Sequence, residues 1–216
     1  MQKKSVAVWD LPTRLFHWSL AASVLGAFAT VNAGDMGSHM LCGFAALTLV
    51  GFRMIWGLIG SETSQFRDFV RKPREIRDYL RRGQSPTLGH NPLGGLSVVA
   101  LLLLVAIQAL TGLFANDGES FSGPWAELVG TAVSNQITGM HQLTKSLLLG
   151  LIVLHVLAIA WYLAAKNEEL LSPMLHGQKQ VGEERAPPRM ANPLIAAGVF
   201  VGVAAITAAL FRFWLF

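Results

Sequence analysis

Residues 137–165 constrain the fold more than any other stretch of this sequence, because they are long and apolar enough to cross a bilayer as one helix. The stretch nevertheless contains two histidines, His141 and His155. Fourteen residues of α-helix rise about 21 Å and complete nearly four turns, so both imidazoles point to much the same side. One helix therefore offers an imidazole near each edge of the membrane, which indicates two stacked cofactors with opposing ligands on other helices.

The composition is that of an integral membrane protein. Of the 216 residues, 52% are hydrophobic and only 14% are charged, whereas a soluble domain carries about 25% charged residues. Apolar runs predict five membrane spans, at residues 15–34, 36–60, 93–115, 137–165 and 193–210. The predicted fold is all-α, with a four-helix transmembrane bundle in residues 1–165 and an additional C-terminal transmembrane helix in residues 193–216.

Two polar segments separate the spans. Residues 61–91 are rich in arginine, and their apolar residues recur at three- and four-residue spacing. This pattern predicts a basic amphipathic helix on the cytoplasmic membrane surface, beginning at Pro73 and ending at Gly83. A docking site for a cytoplasmic partner is the alternative. Residues 166–192 are polar and contain Pro187-Pro188, which predicts a cytoplasmic linker.

The distribution of basic residues predicts the orientation of the chain in the membrane. With the N-terminus in the cytoplasm, 15 of the 17 lysines and arginines fall on the cytoplasmic side, including Lys3 and Arg185. The charged residues in the loops of the opposite side are all acidic. This arrangement satisfies the positive-inside rule and places the C-terminus on the periplasmic side.

Four of the six histidines lie within the predicted spans, and the topology sorts them by depth. His17 and His155 fall near the cytoplasmic side, and His39 and His141 fall near the outer side. An ionisable group in a bilayer is costly and usually faces a functional interior. The depths therefore predict two pairs of ligands, each with one histidine from the fourth span. His90 and His176 fall in loops and are interpreted as surface or capping residues.

Two imidazoles on opposite sides of a metal are typical of haem iron. Zinc would require four convergent ligands, which neither level provides. The single cysteine, Cys42, excludes a Cys-x-x-Cys-His attachment site for c-type haem. Because two axial nitrogens leave no open position on iron, the predicted cofactors are two electron-carrying b haems.

Two basic residues are candidates for haem propionates. Arg53 follows His39 by fourteen residues, which puts it at the inner level on nearly the same face. It either pairs with an inner propionate or anchors the helix at the membrane surface. Lys145 lies one turn after His141. It pairs with an outer propionate, assists an anionic or quinone-like substrate, or snorkels to the outer interface.

The stretches VWDLPTRLFHWSLA, FRMIWGLIGSETSQFRDF and GHNPLGGLS, with two histidines fourteen residues apart, resemble the prokaryotic cytochrome b561 family. That family includes the b-type cytochrome subunits of nickel-iron hydrogenases and the gamma subunits of formate dehydrogenases. The resemblance covers about residues 5–170. It implies a four-helix bundle with two b haems, whose ligands match His17, His39, His141 and His155. It also implies electron exchange between a partner on the outer side and the membrane quinone pool.

The sequence therefore predicts a di-haem membrane cytochrome b that connects quinone with a periplasmic redox protein. That protein is a c-type cytochrome, or a hydrogenase or dehydrogenase subunit. A stand-alone superoxide:quinone oxidoreductase is the alternative enzyme, and Lys145 suits its anionic substrate. A non-redox membrane anchor or transporter is the third hypothesis.

Overall fold

The computed structural model of the chain describes residues 4–82, 87–182 and 186–212. In chain order, its elements are β1 (Lys4–Ala7), α1 (Leu11–Asn32), α2 (Met36–Ile59), a 3₁₀ turn (Glu62–Ser64), α3 (Phe66–Phe69), α4 (Pro73–Arg82), α5 (Pro92–Gly112), α6 (Ala126–Lys166), α7 (Leu171–His176), β2 (Gln178–Val181) and α8 (Pro193–Arg212). Among the described residues, five helices are long and apolar enough to cross a membrane: α1, α2, α5, α6 and α8. The predicted helix end at Gly83, the residues Lys3 and Arg185, and the last four residues of the predicted segment 193–216 lie outside the described ranges.

Polar residues immediately before the spans define where these helices begin. Asp10 precedes α1 and accepts the Thr13 N–H at 2.7 Å. Asn91 precedes α5, and its side-chain oxygen accepts the Gly94 N–H at 2.7 Å, with Pro92 as the first helical residue. Each side chain satisfies a backbone donor that has no partner inside its helix.

The turn between α1 and α2 is short. Gly34 has a φ of +75°, a conformation that glycine adopts without a steric penalty. Asp35 follows it and accepts the Ser38 N–H at 3.0 Å. Hydrogen bonds from Ser38 hold the pKa of Asp35 below its usual value. The turn connects the spans that carry His17 and His39.

The fourth span begins only a few residues before the predicted stretch. Within α6 (Ala126–Lys166) two helices meet at Gly130, where φ is 73° and ψ is 160°, so the helix that contains residues 137–165 begins after this glycine. These angles lie outside the helical region, and glycine tolerates them because it has no side chain. The helical path beyond the kink includes the predicted stretch and ends at Lys166.

The chain forms two compact units, and each of the five spans contributes to both. Unit 1 comprises Met1–Phe16, Arg53–Ala100 and Val153–Val199. Unit 2 comprises His17–Phe52, Leu101–Ile152 and Phe200–Phe216.

The described part of residues 166–192 contains α7 and β2 in unit 1, which the prediction of a polar linker did not anticipate. Strand β2 pairs antiparallel with β1, with Lys4 opposite Val181 and Ala7 opposite Gln178. The Gly177 carbonyl accepts the N–H groups of both Val8 and Trp9, at 2.8 and 3.1 Å. The segment therefore holds the N-terminus in place by backbone hydrogen bonds.

The described residues of 61–91 also lie in unit 1 and form the 3₁₀ turn, α3 and α4. Helix α4 begins at Pro73, as predicted. Phe69 in α3 precedes that helix and is fully buried. The Tyr79 hydroxyl in α4 lies 2.8 Å from the Tyr162 hydroxyl in α6, and this hydrogen bond connects the amphipathic helix to the fourth span.

Unit 2 contains a hydrophobic cluster built around Ala46, Val50, Val105 and Leu148. Within this unit, α8 packs against α2. The Phe52 and Phe200 rings lie 6.1 Å apart, and the Phe44 and Phe211 rings lie 4.7 Å apart.

Candidate cofactor site

Unit 2 brings two of the four predicted ligands together. His39 lies in the first turn of α2 and His141 lies in α6, and their ring centroids are 6.3 Å apart with planes at 86°. Two metal–imidazole bonds of about 2 Å each, added to the radii of the two rings, require centroids roughly 6 Å apart. The spacing therefore fits a metal held between the two rings.

A cavity of about 360 Å³ contains this pair. Small residues form part of its wall, namely Ala27, Gly43, Ala109 and Gly112. A Cβ atom at Gly43, one turn after His39, would meet no atom within 4 Å. The small or missing side chains along this wall leave room for a flat macrocycle beside the two imidazoles.

The Ala27 carbonyl favours one tautomer of His39. Its Nδ1 lies 2.8 Å from the Ala27 carbonyl oxygen. Because a carbonyl only accepts, Nδ1 donates this hydrogen bond and Nε2 keeps its lone pair. This is the form of histidine that binds a metal through Nε2, and the hydrogen bond from Nδ1 fixes the orientation of the ring.

His141 contacts two polar side chains of α5. Its Nε2 lies 2.9 Å from the Gln108 amide nitrogen, and its Nδ1 lies 3.1 Å from Thr111 Oγ1. Thr144 donates to the Gln108 amide oxygen at 2.6 Å and holds that side chain in place. Ligation through Nε2 requires the Gln108 amide to rotate away from the ring.

Sequence reasoning missed Gln108 and Thr111. The signal available was their position, since they are polar residues three apart in the otherwise apolar run 101–112 and therefore share a helix face. Polar side chains in a membrane helix usually find a partner on another helix.

Lys145 lines the same cavity, and its Nζ donates to the Gln142 side-chain oxygen at 2.6 Å. Asn116, Asp117 and Phe121 of the loop after α5 line another part of the wall. The backbone N–H groups of Phe121, Glu119 and Ser120 donate to the Asp117 carboxylate and hold the pKa of Asp117 below its usual value. The cavity thus combines apolar walls with charged side chains.

The other two predicted ligands belong to different units. His17 lies in unit 2, is half-buried, and packs edge-on against Trp18 with 4.9 Å between ring centroids. His155 lies in unit 1 and is also half-buried. Their pairing as ligands of one haem stays a prediction.

Arg53 lies in unit 1 and is only 2% exposed, which does not fit an anchor at the membrane surface. Its guanidinium carbon lies 4.8 Å from the Phe66 ring centroid, 5.7 Å from Phe69 and 6.0 Å from Phe16. Among the described residues, Nη1 has no hydrogen-bond partner. A buried donor without an acceptor is costly, so this atom is suited to an anionic group.

The three stretches that carry the family resemblance meet in unit 1. Asp10 accepts the Trp56 indole N–H at 3.1 Å, and Thr63 donates to the Val8 carbonyl at 2.5 Å. The His90 ring lies 4.6 Å from the Trp9 ring and 4.7 Å from the Phe69 ring. The interpretation of His90 as a surface or capping residue is therefore wrong, whereas His176 is exposed at the end of α7.

The sequence matches the model of one protein family and the sequences of several named relatives. The profile described as prokaryotic cytochrome b561 matches residues 8–177. A probable Ni/Fe-hydrogenase B-type cytochrome subunit of Azotobacter chroococcum mcd 1 is 27% identical, over 85% of this chain and 92% of the relative. Proteins with the same description from Azotobacter vinelandii and Bradyrhizobium diazoefficiens are 26% and 23% identical, and they cover 85% and 82% of this chain and 92% and 87% of their own lengths. No solved structure matches the chain.

Proposed function

Because this chain belongs to the prokaryotic cytochrome b561 family, we propose that it carries electrons through two b haems between a periplasmic redox partner and the membrane quinone pool. Family membership and the five apolar helices make it a multi-pass membrane b-type cytochrome. The proposal adds the number of haems, their ligands, the two reaction partners and the inner membrane as its location.

The observation that carries the proposal is the pair formed by His39 and His141, with ring centroids 6.3 Å apart beside an apolar cavity. These residues are the proposed ligands of the outer haem. A haem held by His39 and His141 would supply one-electron exchange, and ligation by both imidazoles would leave no position for oxygen. The protein contributes ligation, spacing and local charge.

His17 and His155 are the proposed ligands of the inner haem. Arg53 supports this assignment, because it follows the α2 ligand by fourteen residues and has an unsatisfied, buried Nη1 atom. A haem propionate would supply the acceptor that this atom lacks. Lys145, in the wall of the outer cavity, is the corresponding candidate for an outer propionate. It also suits the anionic substrate of the alternative function, a superoxide:quinone oxidoreductase.

The named relatives support a hydrogenase as the redox partner, since they are described as B-type cytochrome subunits of Ni/Fe-hydrogenases. A dehydrogenase subunit or a c-type cytochrome would need the same features from this chain, namely a haem near the outer surface. Quinone is the proposed partner on the membrane side.

Single histidine variants of the purified, haem-loaded protein test the proposal. His39→Ala or His141→Ala should remove only the outer haem, and His17→Ala or His155→Ala only the inner one. Each variant should therefore keep one of two haems per chain, as measured by a pyridine haemochromogen assay. Redox titration should show loss of one wave in the first pair of variants and of the other wave in the second pair.

His176→Ala is the matched control, because His176 is exposed outside the spans, and it should keep both haems. If His39→Ala and His17→Ala removed the same wave, the proposed pairs would be wrong. A wild-type protein without low-spin b-haem absorption bands would contradict the whole proposal.

A further inference from the structure

Helix α5 carries no histidine, yet two of its side chains contact His141. Gln108 reaches Nε2 and Thr111 reaches Nδ1, at 2.9 and 3.1 Å. Both nitrogens of this imidazole therefore have partners on one helix. Gly112, the next residue along α5, lets the ring approach closely, since a Cβ atom there would lie 3.2 Å from His141 Cε1.

The hydrogen positions follow from what each partner can donate. The Gln108 amide nitrogen only donates, so His141 Nε2 accepts and Nδ1 carries the ring hydrogen. Thr111 has one hydroxyl hydrogen, and its Oγ1 lies 2.7 Å from the Ile107 carbonyl, which only accepts. The Thr111 oxygen is then free to accept the Nδ1–H of His141. These bonds leave the Nε2 lone pair available once the Gln108 amide moves.

His39 and His141 are held by acceptors of different kinds. The Nδ1 atom of His39 donates to a backbone carbonyl, that of Ala27, which no side-chain substitution removes. The Nδ1 atom of His141 donates to a side-chain hydroxyl. A single side-chain substitution can therefore remove the acceptor that orients His141, but not the acceptor that orients His39.

We propose that Thr111 is a positioning residue for the outer haem. It orients His141 and increases the basicity of this ligand by accepting its Nδ1–H. When the Gln108 amide rotates away from the ring, Nε2 becomes available for ligation. The inference rests on the proposed function, because it assigns His141 to a haem. An acceptor at the second ring nitrogen makes an imidazole a stronger donor to a metal. This favours ferric over ferrous iron, so Thr111 lowers the midpoint potential of the outer haem.

The test compares Thr111→Val with Thr111→Ser in the full-length, haem-loaded protein. Valine removes the acceptor and nearly keeps the volume, and the outer-haem reduction equilibrium should shift about tenfold toward the ferrous form. A tenfold change corresponds to about 59 mV for a one-electron couple. Serine keeps the hydroxyl and should restore the wild-type potential. Titration of His17→Ala, which should keep only the outer haem, identifies the outer wave.

Thr48→Val is the matched control. Thr48 also donates to the carbonyl four residues earlier, that of Phe44 at 2.9 Å, but it lies on α2 and does not line the cavity. An equal shift in Thr48→Val and Thr111→Val, an unchanged outer potential, or a shift confined to the inner haem would overturn the inference. If Thr111→Val does not accumulate, Thr111→Ala removes the same acceptor with less volume and answers the same question.

The two proposals fail in different ways. If His141→Ala keeps both haems, the proposed ligand is wrong and the proposed function fails with it. If His141→Ala loses the outer haem but Thr111→Val leaves its potential unchanged, only the role of Thr111 is refuted.

Discussion

Two glycines beside the outer histidine pair lack side chains for different reasons. A Cβ atom at Gly112 would lie 3.2 Å from His141 Cε1, whereas a Cβ atom at Gly43 would point into open space. Gly112 permits the close approach of the imidazole to α5. Gly43 leaves part of the cavity free, so a side chain introduced at this position would matter only if it were large enough to fill that space.

Substitution at Gly112 should therefore disturb the ligand directly. Gly112→Val would force the His141 ring away from Thr111, at an overpacking cost of about 1–3 kcal/mol. We expect retention of the outer haem to weaken roughly tenfold or more, while the inner haem stays bound. Haem content after dilution into haem-free detergent buffer, followed by redox titration, measures both effects.

Gly139→Val serves as the control for that substitution, because Gly139 is exposed and a Cβ atom there would meet nothing within 4 Å. This variant should retain both haems. Equal losses in Gly112→Val and Gly139→Val would show that the effect comes from general damage to the helices.

For individual residues, the predicted depth in the membrane identified which histidines lie together, whereas the residue types did not identify the polar side chains that contact them. The charge pattern placed His39 and His141 at one level, and their rings lie 6.3 Å apart; their ligation of haem stays a prediction. Gln108 and Thr111 were not predicted, because their importance comes from the rotation of α5 about its own axis. Hydropathy does not determine that rotation in an apolar helix. The aromatic surroundings of Arg53 depend on the path of residues 61–72, for which the sequence predicted no element, since the predicted helix begins at Pro73.

Among the elements, α8 shows how a helix outside the four-helix family core is held. A Cβ atom at Gly51 in α2 would lie 2.9 Å from Val203 Cγ1 in α8. The two helices are therefore in close contact at Gly51, between the aromatic pairs Phe52–Phe200 and Phe44–Phe211. The contact indicates that the part of α8 from Phe200 onward is packed within unit 2.

A double substitution tests this contact. Gly51→Ala should destabilise the protein by about 1–3 kcal/mol, because the added methyl group overlaps Val203. Val203→Ala in the same chain removes the overlapping atom and should restore most of the loss, so the two effects should not be additive. Thermal unfolding in detergent, followed by tryptophan fluorescence, measures each variant. Additive losses would mean that the two side chains do not meet.

The spans were predicted well because a long apolar run and a membrane-crossing helix have nearly the same length requirement. Their ends differ from prediction by a few residues, and the short helix that begins at Ala126 was not predicted, because Gly130 separates it from the fourth span. Strand β2 was missed because four residues are too few to show a periodicity. Its formation depends on pairing with β1, a contact between segments that are far apart in the sequence.

For the whole molecule, the charge distribution predicts which side of the membrane each loop occupies. Cys42 is the single cysteine, so a Cys42→Ala background permits the introduction of one new thiol at a time. In intact spheroplasts, Glu127→Cys should react with a membrane-impermeant maleimide. Arg82→Cys should react only after the membrane is broken, and the background without a new cysteine controls for labelling of other proteins. Both residues are exposed. The opposite labelling pattern would reverse the proposed orientation and exchange the inner and outer haems.

The pairing of β1 with β2 also has a consequence for the order of biosynthesis. Lys4 is synthesised long before its strand partner, Val181, and Val8 and Trp9 long before Gly177, whose carbonyl accepts their N–H groups. The N-terminal segment must therefore wait until four spans have been synthesised before its backbone partners exist. A nascent chain released early would leave this segment unpaired. The strand pair therefore forms only in a chain that already contains all four proposed haem ligands.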